Sequence, residues 1–228
     1  MNLLCGSFAV VAALMYNDLT LAFWLIVAGI VFDFFDGFVA RLLHSPSAIG
    51  VQLDSLADVI TSGLAPAAVL WQVCLQTEPC WLPEGWKLGY GVFVLAAFSA
   101  LRLAKFNIDE TQTVEFCGLP TPAGSLLCAS LGMLWQQGML ALSSDGVLLI
   151  AVLTSLLLVS PIRMFALKFH GFGWRGNEVR YLFLLASIVL IIILRTYAIP
   201  VIIVLYIVVS AVRWLCMHSG NPDKAPKA

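Results

Sequence analysis

The sequence predicts an all-α integral membrane protein, a polytopic bundle of about eight transmembrane helices (six to eight). Three observations carry that reading. The chain of 228 residues is 61% hydrophobic and only 11% charged, where a soluble domain carries about a quarter charged residues. Its mean hydropathy is +0.97. Its apolar segments follow one another to the end, so it is not a soluble domain behind a signal peptide or a single anchor. A net charge of −1 provides no field for nucleic acid, which is excluded as a partner.

A helix needs about 20 apolar residues to cross the hydrocarbon core. Eight candidates lie near residues 3–16, 18–43, 47–76, 86–106, 120–140, 145–166, 179–196 and 197–217. The last two are divided only by residues 195–200, where Pro200 could kink a helix instead of ending it. Residues 1–218 read as a single transmembrane domain and 219–228 as a polar tail. With eight spans, the even-numbered connections and the tail hold Arg41, Arg102, Lys105, Arg163, Lys168, Arg175, Arg180, Arg213, Lys224 and Lys227, whereas the odd-numbered ones hold Lys87 and Arg195. This ten-to-two bias places the even side and both termini in the cytoplasm. Trp81, Trp86, Trp135, Trp174 and Trp214 suit the membrane interfaces. The six cysteines form no CxxC motif and read as ordinary thiols; Cys74 and Cys80 could pair if their loop faced an oxidising compartment.

Four aspartates interrupt this apolar pattern: Asp33 and Asp36 in the second segment, Asp54 and Asp58 in the third. A carboxylate at membrane depth costs roughly 2.5–3.5 kcal/mol. Spacings of three and four put each pair on one helix face, and the short link around His44 makes the two helices antiparallel neighbours. Asp33 lies eight residues before Arg41, about 12 Å deeper at 1.5 Å per residue. A cation is the natural compensation. Clustered carboxylates without nearby His or Cys favour Mg²⁺, Mn²⁺ or Ca²⁺ over zinc. Two close ions could clamp the attacking and leaving oxygens of a phosphate reaction. Gly37 and Ala40 leave the helix bare for a flat group to approach, and Arg41 offers a planar fork for phosphate. The competing reading is a cation or proton pathway through the aspartates, which leaves Gly37, Ala40 and Arg41 unexplained.

The string Asp33-x2-Asp36-Gly37-x2-Ala40-Arg41-x8-Gly50-x3-Asp54-x3-Asp58 resembles the complete signature of the CDP-alcohol phosphotransferases. The resemblance implies a dinuclear metal enzyme in which a hydroxyl attacks the β-phosphorus of a CDP-linked donor and CMP leaves. It implies that Asp33, Asp36 and Asp54 bind metal, and that Asp58 touches the second ion and acts as general base. It further implies that Gly37, Ala40 and Arg41 line the nucleotide and diphosphate pocket, that Asp33 and Gly50 help to form it, and that Asn2 contacts the nucleotide. Homodimerisation follows from the same resemblance; a cell (inner) membrane location with the active site cytoplasmic is expected, in agreement with the charge bias.

Further motifs concern the acceptor. Arg102-Leu103-Ala104-Lys105-Phe106-Asn107, Phe116-Cys117-Gly118-Leu119-Pro120-Thr121-Pro122-Ala123-Gly124 and Val159-Ser160-Pro161-Ile162-Arg163 are similar, in that order, to the phosphatidylserine synthase branch, over roughly residues 2–170. The usual family form ends the first piece in Arg-Phe-Asn; Lys105 keeps the charge without the fork. The expected substrates are CDP-diacylglycerol and L-serine. Serine is a zwitterion, and Arg102 and Lys105 would place two cations on one helix face for its carboxylate, with Asn107 and Arg163 as further contacts. The alternative for these cations is anchoring at a cytoplasmic helix end. Glycerol 3-phosphate or inositol as acceptor, or an ether-lipid donor of archaeal type, stay open. The Gly118 to Gly124 segment reads as a rigid loop entering a helix, since Pro suits a first helical turn.

Overall fold

The computed structural model describes residues 1–42, 48–81, 88–108, 115–165 and 177–219, the side chains of residues 40, 41, 48, 88, 115, 116 and 217–219 excepted. Among the described residues, each apolar segment forms helix over most of its length. The helices are α1 (Asn2–Leu14), α2 (Leu19–Leu42), α3 (Ala48–Asp58), α4 (Ala65–Gln76), α5 (Val94–Ile108), α6 (Thr121–Gln136), α7 (Ser144–Leu158), α8 (Glu178–Leu194) and α9 (Ala198–Ser219). Among the described residues, four helical stretches are long and apolar enough to cross a membrane: Leu19–Val39, Ile49–Gln76, Gly89–Ile108 and Glu178–Cys216. The protein is a helical membrane protein.

The third apolar segment is one helical run with an inserted π turn, Val59–Leu64, between α3 and α4. Its cause is Pro66, which has no N–H to offer the Ser62 carbonyl and whose ring would crowd it. The Ala65 N–H reaches back five residues to the Ile60 carbonyl, so the helix absorbs an extra residue directly after Asp58.

Small residues bring the central helices together. Ala9 and Ala13 of α1, Ala65, Ala67 and Ala68 of α4, and Ala129 of α6 are fully buried. In lipid no hydrophobic drive joins helices, so close backbone approach and packing must do so. At the end of α1 distant from the aspartates, Asn17 adopts a left-handed φ of 49°. Its Oδ1 accepts from Gln72 at 3.1 Å and Gln76 at 2.9 Å, latching the α1–α2 turn to α4.

The chain folds back at residues 195–197. Arg195 has φ 48°, ψ −110° and opens a 3₁₀ turn. Phe183, twelve residues before it, and Tyr206, eleven after it, are in ring contact, with centroids 5.8 Å apart. One straight helix would separate them by about 35 Å, so α8 and α9 are an antiparallel hairpin. Its outer face, including Leu182, Leu185, Ile192 and Ile193, is exposed and apolar, as a lipid-facing surface is.

Two features depart from an all-helical reading. Short strands β1 (Glu115–Cys117) and β2 (Arg163–Phe165) pair antiparallel, Cys117 opposite Arg163 and Glu115 opposite Phe165. Helix α7 stops at Leu158 instead of running to 166, because Pro161 disfavours helix at the residue before it. Gly118 makes the reversal possible: its φ is +77°, and its N–H donates to the Ile162 carbonyl at 2.9 Å. All six cysteines are free thiols; Cys74 donates to the Ser144 carbonyl. Trp81 is exposed as an interface residue would be, whereas Trp135 packs against the core. Trp86, Trp174, His44, Lys168 and residues 220–228 lie outside the described residues.

Candidate active site

The start of α1, the C-terminal ends of α2, α5 and α7, and the length of α3 meet at one end of the bundle. Asn2 is the centre of this meeting. Only 4% exposed, it donates through Nδ2 to Asp33 Oδ1 at 3.0 Å and to Asp58 Oδ1 at 2.9 Å. One amide thus ties α2 to α3. The Thr61 hydroxyl, inside the π turn, donates to the Asn2 backbone carbonyl at 3.1 Å. Gly6 and Gly29 allow this closeness, since a Cβ at either would press on Thr61.

Asp54 and Asp58 are both close enough to act electrostatically on Asp33. Asp36 points outward, 61% exposed, with the Met1 amino group 3.7 Å away. Asp54 is exposed. Among the described residues, no group of three or more His, Cys, Asp or Glu side chains is drawn together as a ready metal shell. The donor chemistry nevertheless suits a hard cation. All the donor atoms are carboxylate oxygens, the ligand type that hard divalent cations take.

Gly37 follows Asp36 on α2. A Cβ there would meet no atom within 4 Å, so the packing of the chain does not itself demand glycine. Gly50 is exposed near the start of α3. The side chains of Ala40 and Arg41 lie outside the described residues.

Beside the aspartates opens a cavity of about 360 Å³, lined by Arg102, Lys105, Ile108, Cys117, Leu158, Val159, Ser160 and Pro161. Arg102 is 9% exposed. It donates to Thr121 Oγ1 at 2.7 Å, lies 5.5 Å from the Phe106 ring centroid, and attracts Asp58. Of the four acceptor candidates, Arg102 and Lys105 line the cavity. Asn107 and Arg163 flank it: Asn107 donates to Ser55 Oγ at 2.8 Å, next to Asp54, and Arg163 pairs with the wall residue Cys117. Sequence reasoning missed Thr61 and Thr121. Thr61 shows no signal beyond the nearby Pro66. Thr121 lies between two prolines at a helix start, which marks the loop without revealing a partner nineteen residues upstream.

A family model described as CDP-alcohol phosphatidyltransferase matches residues 1–162. The chain belongs to this family. The matched region contains all four aspartates, Asn2, the π turn and every residue lining the cavity. Curated relatives extend the likeness. The chain is 33% identical to a Bacillus subtilis protein over 75% of this chain and 88% of that one. It is 32% identical to a Helicobacter pylori protein over 86% and 80%, and 33% identical to a Mycobacterium tuberculosis protein over 98% and 81%. Each of the three is named CDP-diacylglycerol–serine O-phosphatidyltransferase.

Proposed function

We propose that this protein transfers the phosphatidyl group of CDP-diacylglycerol to L-serine, forming phosphatidylserine and CMP in phospholipid biosynthesis. The observation that carries the reading is the Arg102 and Lys105 cavity beside the carboxylate cluster, in a chain whose relatives bear that enzyme's name. Two cations suit the serine carboxylate. The serine hydroxyl oxygen bonds to the β-phosphorus of the donor, the bond from that phosphorus to the bridging oxygen breaks, and CMP departs with that oxygen. Asp58 takes the hydroxyl proton as general base, a role that requires reach and a suitable proton affinity. Asn2, bound to Asp58 at 2.9 Å, holds the base in orientation. Arg102 holds the carboxylate of the acceptor, with its guanidinium fixed by Thr121 and Phe106.

Two divalent ions, Mg²⁺ or Mn²⁺ or else Ca²⁺, belong to this reading, with Asp33, Asp36, Asp54 and Asp58 as their ligands. When bound, they supply positive charge to the donor diphosphate. Gly37, Ala40, Arg41 and Gly50 form the nucleotide and diphosphate site. The α8–α9 fold-back supports eight spans, and the positive-inside bias supports a reading with both termini and the site on the cytoplasmic side of the cell (inner) membrane. A homodimer completes the reading.

The test is CMP release by purified protein in detergent with CDP-diacylglycerol and a panel of serine, glycerol 3-phosphate and inositol, with and without chelator. Serine-dependent release is the expected result. Release with another alcohol and not with serine would overturn the acceptor assignment.

A further inference from the structure

The family model ends at residue 162, yet residues beyond that point contact the strand pair that contributes Cys117 to the cavity lining. Tyr206 of α9, only 8% exposed, donates from its hydroxyl to the Phe165 carbonyl at 3.0 Å. Phe165 closes β2 and is itself 2% exposed. Its ring is clasped by Tyr206, centroids 4.9 Å apart, and by Phe183 of α8 at 5.6 Å. Phe165 pairs with Glu115, and two residues along the same ladder Arg163 pairs with the cavity residue Cys117. A two-stranded ribbon this short is marginal by itself and needs packing against a helix. The hairpin provides such packing through the Tyr206–Phe165 bond and its ring cluster.

We propose that Tyr206 is a positioning residue for the acceptor: by fixing Phe165 it sets the β1–β2 ladder that carries Cys117 into the lining of the Arg102 and Lys105 cavity. The C-terminal hairpin thereby tunes acceptor affinity without touching the reacting atoms. This rests on the assignment of that cavity to serine.

Tyr206→Phe keeps the ring cluster and removes the hydroxyl that bonds to Phe165. The matched control is Tyr197→Phe, which removes a similar bond at the turn of the hairpin, from the Tyr197 hydroxyl to the Met139 carbonyl at 2.7 Å. Two readouts are taken on the full-length protein in detergent: the separate KM values for serine and CDP-diacylglycerol, and protection by serine of the exposed Cys117 from alkylation, quantified on its peptide. Tyr206→Phe should raise the serine KM and the half-protecting serine concentration together by about three- to tenfold, the scale of one buried neutral hydrogen bond. The KM for CDP-diacylglycerol should stay within about twofold of the parent, and Tyr197→Phe should change neither KM by more than about twofold, since its bond lies away from the cavity. A merely structural role would lower kcat through loss of folded protein and leave the two KM values unsplit. That result, or equal effects of the two variants, overturns the inference. Parent protein that releases no CMP with serine and gains no protection from it instead overturns the serine assignment itself.

Discussion

The Asn2 amide donates to Asp58 at 2.9 Å and to Asp33 at 3.0 Å, so a residue at the start of α1 sets the separation of two carboxylates from two other helices. Groups that orient metal ligands or catalytic residues typically contribute 10- to 100-fold to activity. Asn2→Ala is therefore expected to lower kcat by about that factor while leaving the serine KM nearly unchanged. Steady-state kinetics with both substrates varied would check it.

Asp58 is the assigned base. Asp58→Asn keeps the size of the side chain and can still hydrogen-bond to Asn2, but cannot take the hydroxyl proton. Its CMP release should fall by at least about 10²-fold, the lower range of general-base contributions. Near-normal turnover in purified Asp58→Asn protein would rule the assignment out.

If the carboxylates hold divalent cations, chelation should bring CMP release to background and added Mg²⁺ or Mn²⁺ should restore it. Asp54→Asn removes one ligand charge without disturbing the Asn2 bonds. It should move the half-activating metal concentration upward by about tenfold or more. A metal titration of activity in parent and variant measures this directly.

Arg102 is buried and bonded to Thr121 at 2.7 Å. Thr121→Val keeps the shape and removes the acceptor. Hydrogen bonds to charged groups contribute about 1.5–3 kcal/mol, so the serine KM should rise by roughly ten- to a hundredfold. The measurement is the serine KM at saturating donor.

Gly118 requires no functional argument. Its φ of +77° costs an L-residue about 1–2 kcal/mol, and a Cβ would press on the Leu158 backbone carbonyl. Gly118→Ala should lower the detergent Tm and destabilise the protein by more than about 2 kcal/mol. A thermal melt of the purified variant against the parent tests it.

The apolar segments were legible because lipid permits only helices or closed barrels to span it, leaving composition to mark the helices. The aspartate pairs were legible too, since helical spacing fixes which residues share a face. The π turn at residues 59–64 and the β1–β2 ladder were not. The first arises from a clash between Pro66 and a carbonyl four residues back; the second depends on a left-handed glycine and on Tyr206, a residue more than forty positions downstream of the strand it holds. Neither leaves a periodic pattern to read.

The division between the two levels follows range. Local sequence determined that this is a helical membrane protein, that four carboxylates sit at helical spacing on adjacent segments, and that Arg102 and Lys105 share a face, because spacing along a helix is set by the backbone alone. Tertiary structure decided that Asn2 stands between Asp33 and Asp58, that Thr121 fixes Arg102, and that α8 folds back on α9 so that Tyr206 meets Phe165. Those contacts join residues from 19 to 56 positions apart, and only the packing of small residues between helices brings such distant positions within hydrogen-bond length.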